Sequence, residues 1–247
     1  MDQLLSALLD LAKTIGIGDH HDQHIIQAPE AVPTTSATTS RGNSIGGYDK
    51  NQNILVVGDG DFSFSLSIAL AFGSAPNLFA TSFDSLEFLM ENFMWSVYNI
   101  KELKARGCKV LHCVDATQMA NHPELSQIKF DRIIFNFPLA GFFPREVPRQ
   151  LQIQANQELV MGFMANAKNM LQKDGEIHIT HKAYGFYKDW NLEQLGKSQG
   201  LRLREVVNFQ LSDYPGYHTK YGFGGDRDFD CKNSKTYKFR LMPCNFS

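Results

Sequence analysis

Apolar positions change their spacing along this chain, and each change marks an element. Leu4, Leu5, Leu8, Leu11, Ala12 and Ile15 recur at helical spacing until Gly16 and Gly18 interrupt them, which predicts an amphipathic helix within residues 1–18. Residues 19–48 carry little apolar periodicity and include a run of Thr, Ser and Ala from Thr34 to Ser40. That composition predicts a flexible linker, with the folded domain spanning 49–247. Beyond it, short apolar runs at 53–57, 78–81, 109–113, 132–137, 176–180, 202–209 and 236–241 read as strands. Stretches of helical period fill the gaps at 64–72, 85–106, 149–171 and 188–198, and each stops near a glycine. The order is strand–helix repeated, then two strands joined by the long non-helical segment 211–235. It predicts an α/β domain with a mostly parallel seven-stranded sheet and one antiparallel strand.

Composition narrows the picture. A chain of 247 residues fits one such domain with short extensions, and 43% hydrophobic residues exclude a disordered polypeptide. The net charge of -2 gives no global attraction for a polyanion, so any RNA contact has to come from a local patch. Four cysteines, Cys108, Cys113, Cys231 and Cys244, include no CxxC pair, which argues against a disulfide framework or a structural zinc and for a reducing compartment. His20, His21 and His24 lack an orienting cysteine or carboxylate partner, so no metal site is expected there. The N-terminus has no basic region of a secretory signal, and no apolar run reaches membrane-spanning length. Cys244 stands four from the end with Ser247 last, a formal prenylation pattern, but Asn245 and Phe246 fit it poorly. No stable membrane association is expected.

Chemistry concentrates at strand ends. The first strand runs into Gly58-Asp59-Gly60-Asp61-Phe62-Ser63, a glycine turn followed by a helix start that favours a polar ligand against the backbone. A dinucleotide fold wants a third glycine where Ser63 stands, and Asp59 and Asp61 would repel a diphosphate. Two acids suit a cationic ligand such as S-adenosylmethionine. Asp84, after the second strand, is placed to accept ribose hydroxyls, and Asp115, after the third, an adenine amino group. The fourth strand ends in Asn136-Phe137-Pro138, which resembles the loop of enzymes that methylate a base nitrogen, and Phe142 follows as a stacking face. His178, Thr180, His181 and Lys182 are polar groups at the end of the fifth strand and candidates for proton transfer or substrate contact. Tyr214, Tyr217 and Lys220 lie in a loop that combines aromatic faces with a cation and could clamp a nucleotide.

The strand order is that of class I S-adenosylmethionine-dependent methyltransferases, with a Rossmann-like sheet. The glycine–aspartate turn, Thr81–Ser85, Val114-Asp115-Ala116, 130–138 and Tyr214-Pro215-Gly216-Tyr217 occur together and in order. Together they resemble the 25S rRNA uridine-N3-methyltransferase family of fungi and plants, also found in animals, over roughly residues 51–241; the Thr/Ser linker suits a divergent plant member. The resemblance implies S-adenosylmethionine as methyl donor and a uridine of large-subunit rRNA, within a pre-ribosomal particle, as acceptor. It implies Asn136, Phe137 and Pro138 as catalytic residues and Gly58 through Ser63, Asp84 and Asp115 as cofactor ligands. Phe142, Lys182, Tyr214, Tyr217 and Lys220 are then substrate contacts, in the nucleolus or nucleus with the cytoplasm as alternative. Leu139-Ala140 departs from the family, whose members often have His and a small residue there. The departure motivates an alternative, a catalytically silent RNA-binding or scaffold paralogue; a NAD-dependent oxidoreductase is the further alternative.

Overall fold

The computed structural model describes residues 42–222 and 225–243. The expected N-terminal helix, the linker up to residue 41 and Cys244 lie outside the described residues. Seven strands form the main sheet: β3 (Ile54–Val57), β4 (Leu78–Thr81), β5 (Lys109–Leu111), β6 (Phe130–Asn136), β7 (Leu171–Lys182), β8 (Leu201–Asn208) and β11 (Ser234–Leu241). Their spatial order is β5-β4-β3-β6-β7-β11-β8. Pairings from β5 to β7 are parallel, and β11 inserts antiparallel between β7 and β8. This is the predicted mostly parallel sheet. Chain order reverses at β3 and β6, and the carboxyl ends of these strands meet at a crevice where such sheets bind ligands.

The strands were readable because most are buried on both faces. Ile54, Leu55, Val56 and Val57 are each at most 1% exposed, so the strand is a continuous apolar run rather than an alternation. Their side chains divide between two cores. Leu55, Val57, Ile133, Ile177 and Phe239 pack beneath α4 (Arg149–Met170) and α6 (Leu192–Ser198). Ile54, Val56, Leu78 and Ile134 pack against α1 (Ser63–Phe72), α2 (Leu86–Asn92) and α3 (Ser96–Ala105).

Three expectations change. The helix predicted over 85–106 is two helices, because Phe93 turns extended and buries in the core. Ser96 restarts the helix, its buried hydroxyl donating to the carbonyls of Leu89 and Phe93. The helix predicted at 188–198 starts only at Leu192, as α6; the separate short helix α5 (Gly185–Lys188) precedes it, with the fully buried Trp190 between them. Part of the stretch read as linker forms a hairpin, β1 (Ser44–Ile45) with β2 (Tyr48–Asp49), so folded structure begins before residue 49. Tyr48 is 3% exposed, and its phenol lies 3.1 Å from His178 Nδ1 on β7.

Glu176 anchors the middle of the sheet. Its carboxylate meets His178 at 3.0 Å and Arg240 at 2.8 Å, and Arg204 reaches the same oxygen as Arg240. Burial alone would raise this carboxyl, but the hydrogen bonds of His178 and Arg204 hold it well below the ordinary glutamate range. A depressed native value contributes stability above the unfolded value, near pH 4.3, and loses it as pH falls further. The urea midpoint of the wild type should therefore drop on acidification below about pH 4.5, and Glu176→Gln should show a shallower drop; equal acid sensitivity in both would refute this assignment. A packing test lies at Gly196 in α6, where a Cβ would meet the Phe239 ring at 2.6 Å and 2.8 Å. Gly196→Ala should cost about 1–3 kcal/mol in urea unfolding despite the better helix propensity of alanine.

Candidate active site

A cavity of about 620 Å³ opens at the carboxyl ends of β3, β4 and β6 and beside the turn after β5. Its floor is the turn from β3 into α1. Gly58 has a φ of +64°, and a Cβ there would stand 2.7 Å from the Phe135 ring, so only glycine fits. Phe62 is also left-handed, at φ 65°, and caps α1 without a side-chain hydrogen bond. The helix N-terminus is held instead by the two acids. Asp59 accepts from the Ser65 N–H at 2.8 Å and Asp61 from the Ser63 N–H at 3.0 Å. Both carboxylates are buried, and burial pushes Asp59 up to about 7 and also raises Asp61. The second Asp61 oxygen is buried without a partner. At Gly60 a Cβ would meet nothing within 4 Å. The turn thus presents open space beside an unpaired buried oxygen.

Asp84 and Asp115 face the same cavity. No protein group bonds the Asp84 carboxylate among the described residues, and burial raises it to about 6. Asp115 spends one oxygen on the Thr117 N–H and hydroxyl, both at 2.7 Å, which leaves the other for a ligand. Phe83, Val114 and Ala116 add apolar lining next to these acids.

Across the cavity, β6 ends in Asn136, whose buried Nδ2 has no hydrogen-bond partner. Phe137 is left-handed at φ 51°, a conformation costly for a bulky residue, and its N–H donates to Thr180 O at 2.7 Å. Pro138 follows along the cavity wall. The Tyr217 phenol stands beside Asn136, and burial together with Asp59 and Asp61 raises it well above its ordinary range. Lys182 places its ammonium 4.8 Å from the Phe229 ring centre and 5.2 Å from that of Tyr187. Among the described residues it pairs with no carboxylate. At the mouth, Phe142 and Tyr221 are 43% and 40% exposed, with ring centres 6.0 Å apart.

The cavity therefore gathers Gly58, Asp59, Gly60, Asp61, Asp84, Asp115, Asn136, Phe137, Pro138, Phe142, Lys182, Tyr217 and Lys220. Three expected contacts are elsewhere. Phe62 is fully buried, edge-on to His112 at 5.5 Å. Ser63 uses its hydroxyl to accept from the His218 N–H at 3.0 Å, so it anchors the loop carrying Tyr217. Tyr214 is 7% exposed and stacks inside the core on Phe209 at 5.8 Å, where no nucleotide reaches it.

Lys220 lines the cavity, but its ammonium is held by Asp226 at 2.9 Å and Asp228 at 3.0 Å. It closes the hairpin of β9 (Lys220–Tyr221) and β10 (Gly225–Asp228) instead of offering a free cation. Nor is the Phe137 ring an open platform, since Phe209 and Phe229 stand edge-on to it at 5.6 Å and 4.9 Å. Of the proton-transfer candidates, His178 is locked between Glu176 and Tyr48, and Thr180 pairs with Thr236 at 3.0 Å. His181 bonds Tyr187 O, with burial pushing it down to about 4. Sequence reasoning missed Tyr221 and Phe229, since only the β9–β10 hairpin brings them to the mouth and to Lys182.

The chain is 49% identical over 197 residues to an uncharacterized Arabidopsis thaliana protein, covering 78% of this chain and 94% of that one. It is 23% identical over 224 residues to the 25S rRNA (uridine(2634)-N(3))-methyltransferase of Saccharomyces cerevisiae, covering 69% of this chain and 66% of the yeast protein. It spans only 38% of a second Arabidopsis relative at 44% identity. Among solved structures, NSun6 from Pyrococcus horikoshii shares the fold, with a TM-score of 0.51 at 18% identity, covering 77% of this chain and 48% of that one. The fold is that of the class I S-adenosylmethionine-dependent methyltransferases. A family model described as rRNA (uridine-N3-)-methyltransferase BTM5-like matches residues 55–221, and the chain belongs to that BMT5-like family.

Proposed function

We propose that the protein transfers a methyl group from S-adenosylmethionine to N3 of a uridine in large-subunit rRNA. One observation carries this reading: a single cavity unites carboxylates from three successive strand ends with Asn136 and the unpaired cation of Lys182. The residues fit the cofactor. Asp59 and the unpaired Asp61 oxygen suit an ammonium group, Asp84 the ribose hydroxyls, and the second Asp115 oxygen an adenine amino group. The open space at Gly60 leaves room for a ligand against the backbone. The same acids oppose a diphosphate, which disfavours a nicotinamide dinucleotide.

Bound there, S-adenosylmethionine would supply an electrophilic methyl that an in-line nucleophile attacks, with S-adenosylhomocysteine as the leaving group, so the protein's task is chiefly positioning. Uracil N3 carries a proton that must leave as the nitrogen attacks. The Asn136 side-chain oxygen accepts a hydrogen bond from that N–H and orients it while its Nδ2 donates to a neighbouring uracil carbonyl, and the N3 proton itself passes to a solvent water as the N–CH3 bond forms. Negative charge then grows on O2 and O4, and Lys182 stabilises it within a partly apolar wall. Phe142 and Tyr221 at the mouth give an extruded base aromatic faces to enter against. On this reading the protein acts on a pre-ribosomal particle in the nucleolus or nucleus, with the cytoplasm as the alternative. A second reading, binding without turnover, rests on Leu139 packing against the core and on the buried Ala140 N–H bonding Asn156 Oδ1 at 2.9 Å. Both close that stretch of wall with no polar side chain.

Calorimetry with S-adenosylhomocysteine and with NADH separates the cofactor classes: the former should bind, and tight NADH binding alone would sink the proposal. Radiolabelled methyl transfer to rRNA from a strain lacking the native enzyme should yield N3-methyluridine and vanish in Asp84→Ala. That outcome also refutes the silent paralogue. Asp84→Ala should weaken S-adenosylhomocysteine by about tenfold or more, since bonds to a charged acceptor contribute roughly 1.5–3 kcal/mol. Gly60→Val should leave the thermal midpoint unchanged yet abolish binding; a lowered midpoint with intact binding would mean the space is not a ligand's.

The pH dependence follows from the raised carboxyls. Asp84 near 6 and Asp59 near 7 are partly protonated on the acid side, and the ligand needs them ionised. Affinity should rise from about pH 5 to about pH 8, and Asp84→Asn should flatten the lower part of the rise. A pH-independent affinity in the wild type would contradict the assignment.

A further inference from the structure

Helices leave one area of the sheet uncovered. On the face that α1, α2 and α3 cover over β3 and β4, no helix among the described residues packs over β7, β11 and β8. Among the described residues the β1–β2 hairpin reaches it, through Tyr48 on His178, and the 209–214 segment borders it beside Thr236 and Lys238. The uncovered part carries a row of charge straight across four strands. Arg132 on β6 is in register with Glu176 on β7, Arg240 on β11 bonds Glu176 at 2.8 Å, and Arg240 is in register with Arg202 on β8. Arg204 folds over the same row to Glu176 from an irregularity in the β8–β11 pairing.

The row holds four guanidinium groups and one carboxylate. Arg132 contributes from 3.7 Å, and Arg202 has no carboxylate partner among the described residues. The neighbouring Lys238 and Glu205 neutralise each other at 2.9 Å, and burial lowers the His178 pKa, which favours its neutral form. The excess is therefore not balanced locally. A single buried carboxylate needs one or two partners; further guanidiniums repel one another unless an anion joins them. Each guanidinium has five donors in a fork that matches phosphate, and among the described residues Arg132, Arg204 and Arg240 each spend few of theirs on the protein. In a chain of net charge -2, this is a local basic patch of the kind an RNA backbone requires.

We infer that the Arg132–Arg240–Arg202–Arg204 row is a second RNA contact that binds phosphates of the substrate away from the target base. The inference rests on the RNA reading of the cavity. Glu176 lies four residues before Thr180, which is in register with Asn136, so the row stands about 13 Å along the strands from the acceptor level. That spacing suits RNA flanking an extruded nucleotide.

The test uses the full chain and a fluorescein-labelled RNA hairpin of mixed sequence, titrated at several salt concentrations. Arg202→Gln with Arg204→Gln leaves Arg132, Arg240 and His178 on Glu176, so the fold should hold, as the thermal midpoint checks. The double variant should bind the hairpin roughly tenfold more weakly, with a salt slope smaller by about 0.7–0.9 per lost phosphate contact. S-adenosylhomocysteine affinity should not change, and the corresponding double lysine variant should recover most of the RNA binding. Unaltered affinity and slope in a double glutamine variant that still binds S-adenosylhomocysteine would overturn the inference alone. Wild type that binds S-adenosylhomocysteine but no RNA would overturn the RNA reading with it. RNA binding that survives the double variant while affinity for a poly-glutamate peptide is lost would also overturn it, assigning the row to an acidic protein partner.

Discussion

Two buried carboxylates at the start of α1 set the conditions for the rest of the site. Asp59 and Asp61 each give one oxygen to a helix N–H that would otherwise be orphaned, so the turn needs neither a capping side chain at Phe62 nor a bound ion to hold its shape. Burying two acids so close together is unfavourable by itself, and burial raises both above the ordinary carboxylate range. A cationic ligand relieves that cost. The turn is therefore stable enough to be preformed and strained enough electrostatically to be selective, and Asn99 on α3, which donates to Asp61 O at 2.8 Å, braces it from outside.

The two halves of the cavity are not independent. Ser63, in the first turn of α1, bonds the backbone of His218, one residue after Tyr217 beside Asn136. A displacement of the α1 turn thus moves the acceptor wall as well. Lys220, two residues further on, is fixed by Asp226 and Asp228, so the hairpin beneath Tyr221 is closed by its own charges. Lys182, flanked by rings, also lines the cavity and has no carboxylate partner among the described residues.

What the sequence disclosed and what it hid divide along physical lines. The strands were legible because Ile54–Val57 and Leu78–Thr81 are buried throughout, and the acids at their ends follow from where such strands stop. The break at Phe93 was hidden, because it depends on a buried ring and on Ser96 bonding back seven residues, contacts that periodicity does not register. Tyr214 and Tyr217 look alike in the chain, three residues apart. Only the turn between them decides that one stacks on Phe209 and the other faces Asn136. The charge of Lys220 was readable; its consumption by Asp226 and Asp228 needed the pairing of β9 with β10. The folded role of Ser44–Asp49 was masked by a polar, glycine-rich composition, yet Tyr214 packs so close to Gly46 that any Cβ there would lie 2.3 Å from its oxygen.

The placement of β11 bears on how the protein is made. It is the last strand of the sheet in chain order, yet it lies between β7 and β8 and pairs with both. Until it is synthesised, those two strands expose unpaired edges, and the cluster around Glu176 lacks Arg240. Long-range antiparallel closure is slow relative to local helix formation, so a nascent chain passes through a stage with open edges prone to association. Arg202 and Arg204 on β8, already synthesised at that stage, place charges on the open edge strand that discourage other strands from docking during that interval.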